Sequence, residues 1–465
     1  MAEQGIIRDR AVVPAAVSDR TRLLLDGPVI RTLFRLAAPN VLINLTWVAV
    51  NPSVDAYFIG RLSPAALAGL SLVFPVVMLM QQMANAAMGT SVGSAVARTL
   101  GAGDREEASS LAVHGVIIAL AMAAVFTIAG LTLVPAVCRL MGAEPAALEA
   151  AVTYGGVVLG GAACFWTLCA LAAVLRGTGQ FLVLSLTVVA AEAIHILLSG
   201  ALALGWWGLP RLGVAGAGIG TVTSFGLAAL ILAGYLRSGR AAVYLPLAGV
   251  KLRWRVFWEI LRVGAPSVVN VTAMNLAVTL FTGYVAAFGA AALTGYGVAV
   301  RLEYAQFPLI FGFGAAAIAL VGTSVGAGQF ARAERVAWTA AATAAAITGM
   351  IGAVAMLFPA LWTGLFTHEP ESARYGALYL RTVAPAYAFL GVSLALSVAF
   401  QGAGRPVWPF VANTSRLVVI AGGGWLIAHF FGGSAAALFV APAVGLVVNG
   451  AMLAGAFKAG AWRSR

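Results

Sequence analysis

Twelve apolar runs, each of about 20 residues or more, follow one another along the chain, separated by clusters of Gly, Pro and charge. They lie at 36–59, 65–97, 110–136, 146–175, 181–205, 213–236, 258–287, 291–321, 335–358, 373–400, 406–430 and 433–457. About 20 apolar residues in a helix cross the ~30 Å hydrocarbon layer of a bilayer. No run alternates polar and apolar residues with period two, which excludes a membrane β-barrel. The pattern predicts an all-α membrane protein with twelve transmembrane helices.

Composition closes off the alternatives. Of 465 residues, 61% are hydrophobic and 9% are charged, where a soluble domain carries about a quarter charged. A soluble enzyme, a disordered chain and a nucleic-acid-binding domain are therefore excluded, and the lipid bilayer is the expected partner. The net charge of +12 reads as basic residues flanking spans on the cytoplasmic side. Cys138, Cys164 and Cys169 form no CxxC or Cys/His cluster and read as small buried hydrophobes. The four His are scattered, so no metal site is expected, and neither is an organic cofactor. Residues 1–35 are mixed and Arg-rich, which suits a cytoplasmic segment rather than a signal peptide.

With the N-terminus placed inside, 21 of the 28 Lys and Arg fall in inner segments, four in outer ones (Arg61, Arg139, Arg211, Arg374) and three within spans (Arg301, Arg381, Arg416). This bias puts both termini in the cytoplasm of a multi-pass inner-membrane protein.

The chain also repeats itself. Ala38-Pro39 matches Ala265-Pro266, Asn44 matches Asn270, and Ala65-Ala66-Leu67-Ala68-Gly69 matches Ala291-Ala292-Leu293-Thr294-Gly295. Gly101-Ala102-Gly103 matches Gly326-Ala327-Gly328, Tyr154 matches Tyr379, and Gly177-Thr178-Gly179 matches Gly402-Ala403-Gly404, all at an offset of 225–227. Six helices per repeat is an even number, so the repeats are parallel and related by an axis along the membrane normal. This divides the chain into a cytoplasmic segment 1–35, a first lobe 36–236, a basic linker 237–257, a second lobe 258–457 and a tail 458–465. The internal two-fold makes one chain sufficient, so a monomer is expected. The paired glycines at helix ends read as C-terminal caps of positive φ rather than as a phosphate cradle. No GxxxxGK[ST] occurs, so no nucleotide is expected. Asp104, heading Asp-Arg-Glu-Glu, suits the start of the third helix.

Among the sixteen acids, three lie inside apolar spans: Asp55, Glu192 and Glu303. Charge at that depth is expensive and marks function by default. Asn40, Asn44, Asn51 and Asp55 are spaced to share one face of the first helix, and Pro52 invites a bend beside Asp55. Glu192 and His195 are spaced i,i+3 on the fifth helix and face the same way. A His/Glu pair suits proton handling, although a structural pair between helices has the same appearance. Glu303 and Arg301 are spaced i,i+2 and need separate partners, with Arg416 able to serve one of them. Gln81 and Asn85 form an i,i+4 pair on the second helix, facing either the cavity or a neighbouring helix. Trp206-Trp207 reads as an interfacial anchor.

These landmarks resemble the multidrug and toxic compound extrusion (MATE) family. They are Pro39-Asn40 … Asp55-Ala56-Tyr57-Phe58-Ile59-Gly60-Arg61-Leu62, Leu100-Gly101-Ala102-Gly103-Asp104, Leu175-Arg176-Gly177-Thr178-Gly179-Gln180, Gly213-Val214-Ala215-Gly216-Ala217-Gly218 and their second-half counterparts. The resemblance covers roughly 30–457. It implies two pseudo-symmetric six-helix bundles in a V and export of small amphipathic, often cationic, compounds driven by inward H+ or Na+. The family's functional Asp in the first helix maps onto Asp55. His195 and Ser199 fall where some members carry Asn and Asp, so this chain departs there, and Glu192, one turn earlier, can replace the missing acid. That departure favours H+ over a Na+ site built from several carboxylates. Relatives often carry acids on helices 7 and 10, where this chain has only Glu259 and Glu371 near span ends. The expected coupling residues are thus Asp55, Glu192 and His195. The expected substrate-cavity residues are Asn44, Asn51, Gln81, Asn85, Ser199 and Glu303. The alternatives are a lipid-linked saccharide flippase of the same superfamily, which would want interior Arg or Lys near the cavity, and an exporter dedicated to one metabolite. No catalytic constellation such as HExxH is present, so the chain is not expected to be an enzyme.

Overall fold

The apolar runs fold as helices because the hydrocarbon layer offers no partner for an unpaired backbone group. The computed structural model describes residues 19–246, 251–430 and 434–463. Arg8 and Arg10, linker positions 247–250 and the last two residues of the tail lie outside the described residues. The long helices are α1 (Val29–Gly60), α2 (Pro64–Gly101), α3 (Arg105–Leu140), α4 (Pro145–Gly177), α5 (Phe181–Leu204) and α6 (Val214–Arg237). The second half supplies α7 (Trp254–Ala286), α8 (Ala290–Gly326), α9 (Phe330–Leu357), α10 (Pro370–Gly402), α11 (Val407–Phe430) and α12 (Ala435–Lys458). Eleven are long and apolar enough to span by themselves. The twelfth is α4, whose segments Pro145–Gly160 and Ala162–Gly177 meet at 44°. Three short pieces escape hydropathy: a helix Asp19–Asp26 before α1, a 3₁₀ turn Trp206–Gly208 after α5 and a helix Pro359–Thr363 after α9.

Buried apolar side chains sort into two clusters that follow the two halves, apart from Phe181 at the start of α5, which joins the second cluster, and an exchange of leading turns. The start of α1 (Leu33, Leu36, Ala37) packs into the second cluster. The start of α7 (Val256, Ile260) packs into the first. The two leading helices are equivalent in the repeat, so each half holds the first turns of the other's leading helix.

The halves meet at the ends that carry the chain termini. A Cβ at Gly101 would overlap the Thr323 carbonyl, and one at Gly326 would overlap the Arg98 carbonyl, so α2 and α8 touch backbone to backbone. Arg98 Nη2 pairs with Glu259 Oε1 at 3.3 Å, and its Nη1 donates to the Gly402 carbonyl at 3.3 Å. Between α2 and α7 the contact continues through Thr90 and Ser267 (2.9 Å) to Asn275 and Gln82 (3.4 Å). Further toward the opposite side, no hydrogen bond joins α2 and α7 among the described residues.

The glycine pairs need a correction. Gly103, Gly179, Gly328 and Gly404 do take positive φ, from 73° to 84°. Gly101 and Gly177 do not: each ends its helix and is kept bare by close approach, Gly101 to Thr323 and Gly177 to the Gly93 carbonyl. Asp104 caps α3, its Oδ1 accepting from the Glu107 N–H at 2.9 Å.

Candidate functional site

The first helix does not present one polar stripe. It runs from Val29 to Gly60 as one span, with Val50 still in the right-handed helical region between the segments Val29–Ala49 and Asn51–Gly60. Pro52 has no N–H to continue the ladder there. The two segments serve different halves. Asn40 turns to α8 and donates to the Phe311 carbonyl at 3.2 Å. Asn51 and Asp55 turn into the first half. The side-chain amide nitrogen of Asn44, between them, is buried without a hydrogen-bond partner.

Asp55 sits at the centre of a buried polar cluster. Tyr154 of α4 donates to Oδ2 at 2.5 Å, and Thr221 of α6 reaches both carboxylate oxygens at 3.2 Å. His195 Nε2 lies 3.2 Å from Oδ1. The other ring nitrogen, Nδ1, lies 3.2 Å from Glu192 Oε2, and Asn51 Nδ2 donates to Glu192 Oε1 at 3.3 Å. Every member is buried: His195 is 0% exposed, Asp55 3% and Glu192 5%. The imidazole thus bridges two carboxylates, in a line rather than around a common point.

A neutral imidazole donates from one nitrogen only. Thr221 Oγ1 also lies 3.0 Å from His195 Nε2, so that nitrogen meets both the hydroxyl and the Asp55 carboxylate.

The local sequence explains the assembly. A Cβ at Gly216 would overlap the Leu202 carbonyl and one at Gly220 the Ser199 side chain, so this small-xxx-small pair brings α6 against α5. Thr221, next in line, is thereby placed on Asp55. Ser199 stays outside the cluster and donates to the Ala217 carbonyl at 3.2 Å. Gln81 is buried, and Asn85 donates to the Gln81 carbonyl (3.1 Å) while Cys169 S lies 3.9 Å from its Oδ1. Neither is hydrogen-bonded to the Asp55 cluster.

The second half buries a carboxylate in its own way. Glu303 accepts from Tyr379 at 2.7 Å. Arg301 turns elsewhere and lies over the Phe366 ring at 5.5 Å. Arg416 lines the same pocket as Glu303 but forms no ion pair with it within 4.0 Å among the described residues.

Tyr154 and Thr221 went unread in the sequence as site residues. Tyr154 stood out only as a repeat landmark, and the glycine pair before Thr221 was the available signal.

Two six-helix halves meeting at one side, with a buried polar cluster among the helices, define a polytopic membrane protein of the kind that transports solutes. The MatE family model matches residues 42–199 and 266–426, and the chain belongs to that family, whose members are transporters. It is 28% identical over 409 residues to a probable multidrug resistance protein NorM of Thermotoga maritima, covering 85% of this chain and 86% of that one. It is 24% identical over 398 residues to an FAD transporter of Shewanella oneidensis, covering 85% and 87%. A crystal structure of a MATE protein in the bent conformation superposes with a TM-score of 0.88 at 25% identity, covering 96% of this chain and 98% of that one.

Proposed function

We propose that this chain exports amphipathic, largely cationic compounds in exchange for inward H+, by rocking its two halves about a central cleft. The observation that carries the reading is the buried Asp55–His195–Glu192 line, which sets an imidazole between two carboxylates close to Pro52 of α1. Tyr154 donates to Asp55 Oδ2, and the Thr221 hydroxyl and His195 Nε2 lie against its oxygens at 3.2 Å. A proton added to that carboxyl displaces a donor, because a protonated oxygen no longer accepts in the same direction. The displaced contacts are those that hold the outer segment of α1 to α4, α5 and α6. The inner segment is tied to α8 through Asn40, so a change at Asp55 is passed to the second half.

In this reading the termini lie in the cytoplasm, so the side closed by α2 and α8 is the inner one and the halves part on the outer side. In the cycle, a proton arriving from outside loads the cluster and the compound leaves. The halves then close outside and open inside, the proton is released, and a new compound binds.

The test is efflux from proteoliposomes under an imposed pH gradient, then an imposed Na+ gradient, with the native chain and with Asp55→Asn. The native chain responds to pH and the variant does not. Undiminished pH-driven efflux by Asp55→Asn defeats the reading. Dedication to one metabolite is the second reading, and the Shewanella relative named as an FAD transporter supports it. Competition by FAD in the same assay separates the two.

A further inference from the structure

The short helix Asp19–Asp26 before α1 lies across the closed side. It packs against both α2 and α8, the two helices whose backbones touch at Gly101 and Gly326. Two different attachments hold it. On the second half, Arg332 in the first turn of α9 donates to the Leu24 carbonyl from Nε (3.1 Å) and Nη2 (2.9 Å). Its Nη2 also donates to the Gly27 carbonyl at 2.6 Å. Pro28, four residues after Leu24, has no N–H to offer that carbonyl, and a cation is favoured at a helix C-terminus. On the first half, the Leu24 side chain is 3% exposed and shares its apolar cluster with Phe181 of α5. Its methyl groups stand 3.4 Å from where a Cβ of Gly179 would be, on the turn between α4 and α5.

Arg332 has a counterpart in the other half. It stands at the repeat offset of 225 from Glu107 of α3. Glu107 holds Arg255 (2.6 Å) and Arg253 (3.4 Å), at the first turn of α7. One position of the third helix in each half thus clasps the approach to the other half's leading helix. Only one of the two attachments of the short helix survives a parting of α2 from α8, because Arg332 moves with one half and Gly179 with the other. Arg332 holds by charge-assisted bonds. The short helix also runs on into the turns of α1 (Leu33, Leu36, Ala37) that are buried in the second half. The first half grips it through the packing of Leu24. It therefore stays with the second half, and the contact that opens is Leu24 on Gly179.

We propose that the helix Asp19–Asp26 is a bolt on the inner mouth. Arg332 fixes it to the second half, and the Leu24 side chain closes it against the Gly179 turn of the first half. The bolt is withdrawn before the inner side opens, so these two residues set how often the molecule faces inward. This rests on the rocking-exporter reading and adds to it a device that governs the inner opening.

The test uses the full chain in proteoliposomes, with its three native cysteines replaced by serine and Ser94→Cys as reporter. Ser94 is 0% exposed, and its carbonyl lies beside Gly322 of α8, about two turns deeper than Gly101. A maleimide reaches that depth when the two helices part, and not when the short helix alone lifts. Labelling is timed from the side that carries the short helix, without a gradient. Leu24→Ala and Arg332→Gln are each expected to raise the rate about tenfold, as for one lost buried side chain or charge-assisted contact. Arg332→Lys, which still reaches a carbonyl, falls between. Leu24→Met keeps the apolar volume and labels at the native rate. An unchanged rate in Leu24→Ala or in Arg332→Gln overturns the proposal. An equal rise in Leu24→Met also overturns it, since it marks a general loosening of the fold. The native rate is then read under an imposed pH gradient. A native rate that responds to the gradient while neither substitution shifts it sinks the bolt alone. A rate that rises in both variants but ignores the gradient sinks the H+ coupling alone.

Discussion

Tyr154 and Tyr379 occupy equivalent positions in the two repeats, and each donates its hydroxyl to a buried carboxylate, at 2.5 Å to Asp55 and 2.7 Å to Glu303. The carboxylates themselves are not equivalent. Asp55 comes from the leading helix of its half, whereas Glu303 comes from the second helix of the other half. The duplicated donor has been retained while its acceptor has moved, so the two halves present different chemistry on one scaffold.

The two tyrosines are expected to separate by function. Tyr154→Phe removes a donor from Asp55 and lowers pH-driven efflux by about tenfold or more, in line with the 1–3 kcal/mol cost of an unmet buried group. Tyr379→Phe leaves the pH dependence in place. Proteoliposome efflux at several pH gradients, with both variants side by side, checks the split. Equal loss of pH response in both contradicts it.

His195→Gln takes away the bridge between Asp55 and Glu192. Glutamine can donate to one carboxylate but cannot take up and release a proton. The expected result is a flattened dependence of efflux on pH with substrate binding retained. A pH profile that is unchanged relative to the native chain would show that the imidazole is only structural.

At the closed side, a methyl group on Gly101 or Gly326 has no room beside the facing carbonyl. Gly101→Ala is expected to hold α2 and α8 apart and to raise thiol labelling of a cysteine placed at Ala327. Labelling equal to that of the same cysteine in the Gly101 background counts against a tight seam.

Arg98→Ala removes the ion pair with Glu259 and the contact with the Gly402 carbonyl. The pair is mostly shielded from solvent, so its loss destabilises the closed side by on the order of 2 kcal/mol. Thermal melting in detergent and a shift of the labelling ratio between the two sides measure the effect.

The sequence made the architecture legible because hydrophobic length, the bias of Lys and Arg and the repeat offset each report on the bilayer directly. Asp55, Glu192 and His195 were legible for a related reason: ionisable groups are too costly in apolar spans to be there by accident. Tyr154 and Thr221 were not, since a hydroxyl in a span costs little and carries no charge. The polar residues of α1 do not line one cavity, because the helix passes from the second half to the first along its length: Asn40 meets α8, and Asp55 faces α4, α5 and α6. The bare glycines Gly101 and Gly177 were assigned to turns because only the facing helix reveals that they are interface positions.

The exchange of first turns between the halves limits how the molecule can flex. Neither bundle can swing free as a rigid block, since each has its partner's opening turns embedded in its own apolar interior. The strain of any swing must then be taken up along the two leading helices. α1 carries Pro39 and Pro52, whereas α7 carries only Pro266. The softer strut is thus the one attached to the Asp55 cluster, and the stiffer one acts as its fulcrum.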